Sequence, residues 1–431
     1  MKVIADLHIH SKYSRATSGQ LDIENLERYA RIKGLSLLGT GDFTHPRWIS
    51  ELKSSLSEDG TGILKTRTGF NFILQTEISL MYSQGGKGRK IHLLLLAKNF
   101  EIADAISGML GKRGRLDYDG RPIFGINSIE FAEKIKEIDN SIEIIPAHIW
   151  TPWFGLFGSM SGFDSVEECF SDQAKHIRML ETGLSSDPQM NWRLSKLDRY
   201  SLISNSDCHS FWPWRLGREC NIAEVKKLSY DSIVNALATK EGFIETIEVD
   251  PAYGKYHFDG HRNCRVRMSP DESIKNKNIC PVCRKEMTIG VLHRVNELSD
   301  RDENFVLKTG VPFRRIIPLS EILSASMKSA VSSKAVWKSY YELIKPFGSE
   351  MNVLLETPED EIKKILGDRI SALIMKNREG NLEVNAGYDG EYGTLALKDD
   401  EISGEKRAKK ASEINEKKSG IKTQSALNDF I

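Results

Sequence analysis

The sequence predicts an α/β barrel, followed by a small cysteine- and histidine-rich domain, a helical C-terminal region and a disordered tail. Three observations predict it. Over residues 1–248, seven short runs rich in Ile, Leu and Val alternate with amphipathic stretches. Over 249–315 the composition shifts to Cys, His, Arg and Lys. Over 398–423 the chain is charged and lacks aromatic residues.

The seven runs are 3–8, 36–40, 71–77, 91–97, 142–148, 179–182 and 202–207. Each is short and ends in polar or Gly-containing chain, which is how buried parallel strands read. Helical spacing lies between them, as in Ile23, Leu26, Tyr29 and Ala30, or Ile129, Ala132 and Ile135. Strand–helix alternation over this length points to an α/β barrel. The chain has 431 residues, more than one compact domain usually holds. Residues 316–397 start helically, with Thr357-Pro358-Glu359-Asp360 reading as a cap, a first-turn proline and first-turn acids. Residues 381–397 read as a hairpin turning at Asp389-Gly390. The run 398–423 reads as a disordered linker and 424–431 as a terminal peptide.

Composition excludes several classes. No run of eighteen apolar residues marks a membrane helix, and the acid-bearing start does not resemble a signal peptide. A cytoplasmic protein with no membrane partner is expected. Six cysteines in this length do not make a disulfide scaffold. A formal net charge of zero argues against a globally basic, histone-like binder. A local basic face is still open, since 255–315 holds 13 Lys/Arg against 8 Asp/Glu.

The chemistry sits at the run ends. The first run leads into His8-Ile9-His10, and two residues apart on a strand share one face. The second leads to Asp42, with His45 just beyond; the third ends in Glu77; His92 opens the fourth; the fifth ends in His148; the last leads into Asp207-Cys208-His209. In such barrels, side chains at C-terminal strand ends converge on one mouth. One isolated His or Asp is more often structural, and a single H-x-H arises by chance. Together they point to a metal cluster with His8, His10, Asp42, Glu77, His92, His148, Asp207 and His209 as candidate ligands. Such donors suit Zn, Mn or Fe. Cys208, facing the other way on the strand, reads as core. Glu181, at another strand end, is a candidate for orienting a ligand.

Asp6-Leu7-His8-Ile9-His10-Ser11, Thr40-Gly41-Asp42, Glu77, His92, Pro146-Ala147-His148 and Ser206-Asp207-Cys208-His209 resemble, in order, the motifs of the PHP (polymerase and histidinol phosphatase) superfamily. The resemblance implies a distorted (β/α)7 barrel, two or three divalent ions (Zn, Mn, Fe or Mg) and phosphoesterase activity. Bound ions lower the pKa of a water to roughly 7, so no Ser or Cys nucleophile is needed. Two positions depart from the family pattern. Phe43 follows Asp42 where the family often has His, and Arg15 and Ala16 stand where an acid or His often follows the H-x-H. Arg15 and His45 are therefore candidates for contacting phosphate, or His45 for holding a metal.

In the second segment, His261-Arg262-Asn263-Cys264 precedes Cys280-Pro281-Val282-Cys283. H-x2-C followed by C-x2-C is close to a two-knuckle zinc ribbon. One structural Zn is expected on His261, Cys264, Cys280 and Cys283, with His257 as the alternative to His261. Arg262, Arg265, Arg267, Arg284 and Lys285 beside the knuckles offer a basic grip on phosphates. Trp150, Trp153 and Phe154 follow His148, and Phe211, Trp212, Trp214, Arg215 and Arg218 follow His209. These rings can stack on an extruded base or pack as a lid; the arginines can hold flanking phosphates or pair with acids.

The chain closes on Gln424, Leu427, Phe430 and Ile431 at the spacing of the peptide that docks on the sliding clamp PCNA, with Ile431 a mild departure. A tether before it lets it reach the clamp. The barrel, zinc segment and tail together resemble the endonuclease Q family of archaea over nearly the whole chain, most specifically in Gly41-Asp42-Phe43-Thr44-His45-Pro46 and the zinc segment. That resemblance implies DNA repair: cleavage 5′ to a deaminated base (hypoxanthine or uracil) or an abasic site, assisted by the clamp. A PHP-type phosphatase would need neither ribbon nor clamp peptide. A PHP-type 3′–5′ exonuclease would digest from an end rather than nick once. A non-catalytic DNA-binding scaffold would have lost ligands.

Overall fold

The computed structural model describes residues 1–397. They form two compact units. The first comprises Met1–Ile316 with Val384–Thr394, and the second is built on Ile317–Glu383.

In the first unit, β1 (Lys2–Asp6), β2 (Leu37–Gly39) and β3 (Asn71–Gln84) run parallel. β4 (Lys87–Ala97) pairs antiparallel with β3, and β5 (Glu143–Pro146) pairs antiparallel with β4. β6 (Met179–Glu181) and β7 (Ser201–Ile203) form a parallel pair. On the other edge of β1 lie β8 (Cys220–Glu224) and β9 (Phe243–Glu248), both in antiparallel pairings, and β10 (Phe313–Arg315) parallel to β9.

All seven expected runs contain strands, five in one mixed sheet and the last two in the separate parallel pair. Two features differ from the sequence reading. The fourth run is reversed, because Gly85 (φ 60°) and Gly86 (φ 74°) close a tight hairpin after β3. Both positive φ values suit a type I′ turn, whose twist matches paired strands. The sequence reading also passed over β8 and β9, which lie on either side of the helix Tyr230–Thr239. Between β7 and the β1–β8 pair, asparagine side chains take over from the backbone ladder. Leu7 N donates to Asn205 Oδ1 (2.8 Å), Ser204 N to Asn221 Oδ1 (3.0 Å), and Asn221 Nδ2 to Ser204 O (2.7 Å). Buried backbone groups are satisfied there without strand pairing.

The barrel core contains Leu7, Ile73, Leu94, Ile145, Met179 and Ile203, packed with Ile233 and Leu237 of the helix Tyr230–Thr239. Connecting helices start where a short polar side chain accepts from the first turn: Asp22 from Asn25 N, Asn99 from Ile102 N, Asn127 from Glu130 N. The expected hairpin turns where predicted, with Asp389 (φ 41°) and Gly390 (φ 91°) both left-handed. It belongs to the first unit, however, and not to the helices of 316–397. Hydrogen bonds draw it there: Phe258 N donates to Gly387 O (3.0 Å), and the Asp389 carboxylate accepts from Arg262 N (2.6 Å) and Thr288 Oγ1 (2.7 Å).

The second unit has helices Leu319–Ser326, Lys334–Phe347, Glu350–Leu355 and Glu359–Arg378. Its buried Glu350 is satisfied by Leu319 N (3.0 Å) and Tyr340 OH (2.7 Å). Pro358, not Thr357, precedes the last helix, and Thr357 Oγ1 donates backward to Asn352 O (3.0 Å). The expected linker and clamp peptide, with Gln424, Leu427, Phe430 and Ile431, lie outside the described residues.

Candidate metal centre

The strand ends gather two groups of donors. His8, His10, Glu77 and Asp207 each bring one ligand atom within 4.8 Å of the others, as do Glu77, His92 and His148. Glu77 is common to both, and its two oxygens divide between them. Oε2 lies 3.3 Å from His10 Nε2 and 3.6 Å from His8 Nε2, while Oε1 lies 2.7 Å from His92 Nδ1 and 3.1 Å from His148 Nε2. His92 reaches the cluster because β4 runs backward: the start of its apolar run sits opposite Ser79, just past Glu77 on β3.

Three of the four histidines are aimed from behind. His8 Nδ1 lies 3.0 Å from both Glu181 oxygens, His10 Nδ1 3.0 Å from Asp42 Oδ1, and His148 Nδ1 3.0 Å from Thr151 Oγ1. A ring nitrogen held this way turns the other toward the metal position. His8 Nε2 is buried and has no hydrogen-bond partner. An orphaned imidazole nitrogen facing two carboxylates fits a divalent cation, and this N/O donor set suits Zn, Mn or Fe. Burial works against charge on Glu77, yet His92, Arg121 and His8 hold it well below the usual carboxylate range. Burial likewise opposes charge on Asp207, yet His8 and His10 hold it low. Burial pushes His92 down to about 3, with the Glu77 carboxylate beside it acting in the opposite direction.

Asp42 (φ 43°), His148 (φ 30°) and Asp207 (φ 45°) all sit in the left-handed region. For non-glycine residues this is uncommon, and it clusters at functional sites. Asp6, pushed up to about 6 by burial, anchors the Asp207 loop by accepting from Ser206 N (3.0 Å) and Gly217 N (2.9 Å).

Six of the eight expected ligands fall into the two groups. Asp42 does not; its carboxylate faces His10 Nδ1 and accepts from Ser11 N (2.6 Å) and Ser14 Oγ (2.9 Å). His209 also lies outside them, its ring 4.6 Å from that of His10. His45 is buried and stacked on Tyr13 at 4.3 Å, with Nδ1 unpartnered. Arg15 is exposed and pairs with Asp119 at 3.3 Å.

Among the candidate base-binding rings, Trp150 requires a correction. It is fully buried, packs on Phe157 at 5.0 Å and donates its indole N–H to Asn191 Oδ1 (2.8 Å), so no base can reach its face. Trp153 is exposed and meets Tyr256 edge-on at 5.6 Å. Phe154 lies 4.5 Å from the His92 ring. Trp212 and Trp214 stack at 5.4 Å, half-buried. Arg215 lies over the Tyr392 ring at 5.3 Å. Arg218 is buried and donates to Ser206 O (3.1 and 2.9 Å), which ties down the Asp207 loop.

Sequence reasoning missed Arg121, whose Nη1 lies 2.9 Å from Glu77 Oε2. Its only sequence signal is a cation in Asp119-Gly120-Arg121, a loop motif without marked spacing.

In the zinc segment, His261, Cys264, Cys280 and Cys283 bring four donors within 4.8 Å of one another. His257 is elsewhere, with its Nδ1 unpartnered and burial pushing it down to about 4. Arg265 (φ 53°) and Arg284 (φ 63°) turn the chain just past each knuckle. The three cysteines are free thiols. Burial and the Cys283 and Cys280 sulfurs push the Cys264 thiol up to about 11, crowding that a divalent cation relieves. Three sulfurs and one imidazole suit a closed tetrahedral Zn site.

Known proteins align with this architecture. The chain is similar to the lesion-specific endonuclease PfuEndoQ of Pyrococcus furiosus, with a TM-score of 0.83 and 30% identity over 94% of this chain and 97% of that one. The chain belongs to the endonuclease Q family. It is also similar to an endonuclease Q solved with a 27-mer duplex carrying an abasic lesion at the active site, with a TM-score of 0.84 and 30% identity over 95% of this chain and 100% of that one. The endonuclease Q likeness thus covers barrel and zinc segment alike. The uncharacterized protein YqxK of Bacillus subtilis is 29% identical over 415 residues, 91% of this chain and 99% of that protein. The uncharacterized protein MJ0043 of Methanocaldococcus jannaschii is 33% identical over 258 residues, 59% of this chain, and the match spans only 32% of that relative's length. The family model for the MJ0043 C-terminal domain matches residues 318–381, the helical unit. Among the described residues no helix is long and apolar enough to cross a membrane.

Proposed function

We propose that the chain is a metal-dependent DNA-repair endonuclease, which hydrolyses the phosphodiester bond on the 5′ side of a deaminated base, hypoxanthine or uracil, or of an abasic site. One observation carries the reading. Two donor groups share Glu77 in a chain that aligns almost end to end with a lesion-specific endonuclease. His8, His10, Glu77 and Asp207 would hold one ion, and Glu77, His92 and His148 the other. When bound, the ions supply Lewis-acid charge and an acidified water. The protein supplies placement: Glu181 and Asp42 fix the imidazoles, and Gly120, packed against Asp42 and Ser14, leaves that flank no room for solvent. Arg15, exposed and paired with Asp119, and His45, buried against Tyr13, are the proposed phosphate contacts carried by the sequence motif alone. Trp153, Phe154, Trp212 and Trp214 offer faces for an extruded base.

The deciding assay uses labelled duplexes carrying inosine, uracil or an abasic site, with Mn or Mg and product ends mapped. One internal nick 5′ to the lesion is expected. Laddering from a 3′ end, or turnover only of a phosphorylated metabolite, would replace this reading by the exonuclease or phosphatase. The closing residues Gln424, Leu427, Phe430 and Ile431 support docking to PCNA in a cytoplasmic protein. Deleting 424–431 is expected to spare basal cleavage and end stimulation by the clamp; unchanged clamp binding after the deletion would refute the docking.

A further inference from the structure

The segment 112–122 is pinned across the H-x-H loop. Gly120 N donates to Tyr13 O (3.1 Å), and Asp119 Oδ1 accepts from Arg15 N (3.3 Å) and Arg121 N (3.2 Å). Gly120 lies so close that a Cβ there would collide with the Asp42 carboxylate and the Ser14 hydroxyl. This pinning delivers the Arg121 side chain to the metal centre, where its ion pair among the described residues is with Glu77. The side chain stays 27% exposed, so the guanidinium is within reach of a ligand arriving from solvent.

That ion pair cannot have the same strength in every state. Both Glu77 oxygens face the two donor groups, so cations held in those groups would draw on both. Two divalent charges within a few ångströms repel a guanidinium, whereas an anion bound between them attracts it. A guanidinium fork matches two phosphate oxygens, and a third fixed cation near the scissile group stabilises charge as it develops. The neighbouring arginines are placed otherwise: Arg15 is exposed and held by Asp119, and Arg218 is bonded to Ser206 O.

Resting on the nuclease reading above, we propose that Arg121 is a catalytic residue that exchanges Glu77 for the non-bridging oxygens of the scissile phosphodiester. Its role is to grip the phosphate, and it is not needed to hold Glu77 for the metals.

Arg121→Ala and Arg121→Lys in the full chain test this through three readouts: calorimetric titration with Mn, titration with inorganic phosphate, and single-turnover cleavage of an abasic duplex. Arg121→Ala is expected to keep two barrel ions with Mn affinity unchanged or higher, since a competing cation is gone. Phosphate affinity should fall by about tenfold or more, and cleavage by on the order of 10²–10³-fold. Arg121→Lys, a point charge without the fork, should recover only part of both. The proposal is overturned if Mn affinity falls in step with cleavage, which would make Arg121 a support for Glu77, or if phosphate affinity matches wild type. Should the wild type leave every lesion duplex intact, the nuclease reading fails, and the phosphate and Mn titrations still decide the role of Arg121.

Discussion

The two ion-binding regions solve the same problem by opposite routes. At the barrel mouth the donors ride on strands whose backbone is already paired, and Glu181, Asp42 and Thr151 hold the rings in place. In the zinc segment His261 ends one strand of a two-stranded ladder, Asp259–His261 with Val266–Met268, Cys264 lies in the turn between those strands, and Cys280 and Cys283 follow the short helix Pro270–Lys275. Few buried apolar groups hold those turns. The mouth is therefore held by its own hydrogen bonds, and the zinc segment would depend on an ion to hold its four donors together. A preformed site can release or exchange its ions and stay folded; a closed tetrad cannot.

The sharpest test removes one donor from each region. Asp207→Ala or His10→Ala should lower cleavage by about 10³-fold or more while melting stays within a few degrees of wild type. Normal nicking by either variant would remove that residue from the ligand set. Cys280→Ser should instead lose one Zn per chain and hydrogen-exchange protection across 259–290, with barrel metal content unchanged. Unfolding of the whole barrel with Cys280→Ser would erase the contrast.

The aromatic residues at the mouth divide in the same way, between built scaffold and presented surface. Trp150→Ala should cost about 3–5 kcal/mol, because it leaves a cavity and an orphaned Asn191. Trp153→Ala should cost under about 0.5 kcal/mol in stability. It should instead weaken binding of a duplex with an extruded base by about 1–3 kcal/mol. Thermal melts and duplex titrations of both variants separate the roles, and equal melting losses would merge them.

The smallest effect concerns acids beneath the mouth. Glu248 is fully buried among Ser204, Thr182 and Thr246 hydroxyls, and burial pushes it up to about 8. The folded value lies above the ordinary 4.5, so folding favours the proton. Its stabilising contribution is complete below the ordinary value and is lost as pH rises through the folded one. Glu248→Gln keeps the hydrogen-bonding shape and removes the titration. Its melting temperature should match wild type near pH 4, gain steadily between about pH 5 and 8, and then hold level. A gain independent of pH would show that Glu248 is charged when folded.

Several features were legible without coordinates because they are local. Apolar runs mark buried strands, the H-x2-C and C-x2-C spacings mark knuckles, and Asp389-Gly390 marks a turn, since each depends on a few neighbouring residues. Donor identity at strand ends was legible for the same reason. The tertiary structure alone decided which donors meet. Reversal of β4 brought His92 to Glu77, and Asp42 was turned behind His10 rather than into either group. It also buried Trp150, seated the hairpin of Val384–Thr394 in the first unit and carried Arg121 to the cluster. Strand direction and side-chain grouping arise from pairings between residues far apart in the chain, and a linear pattern holds no record of them.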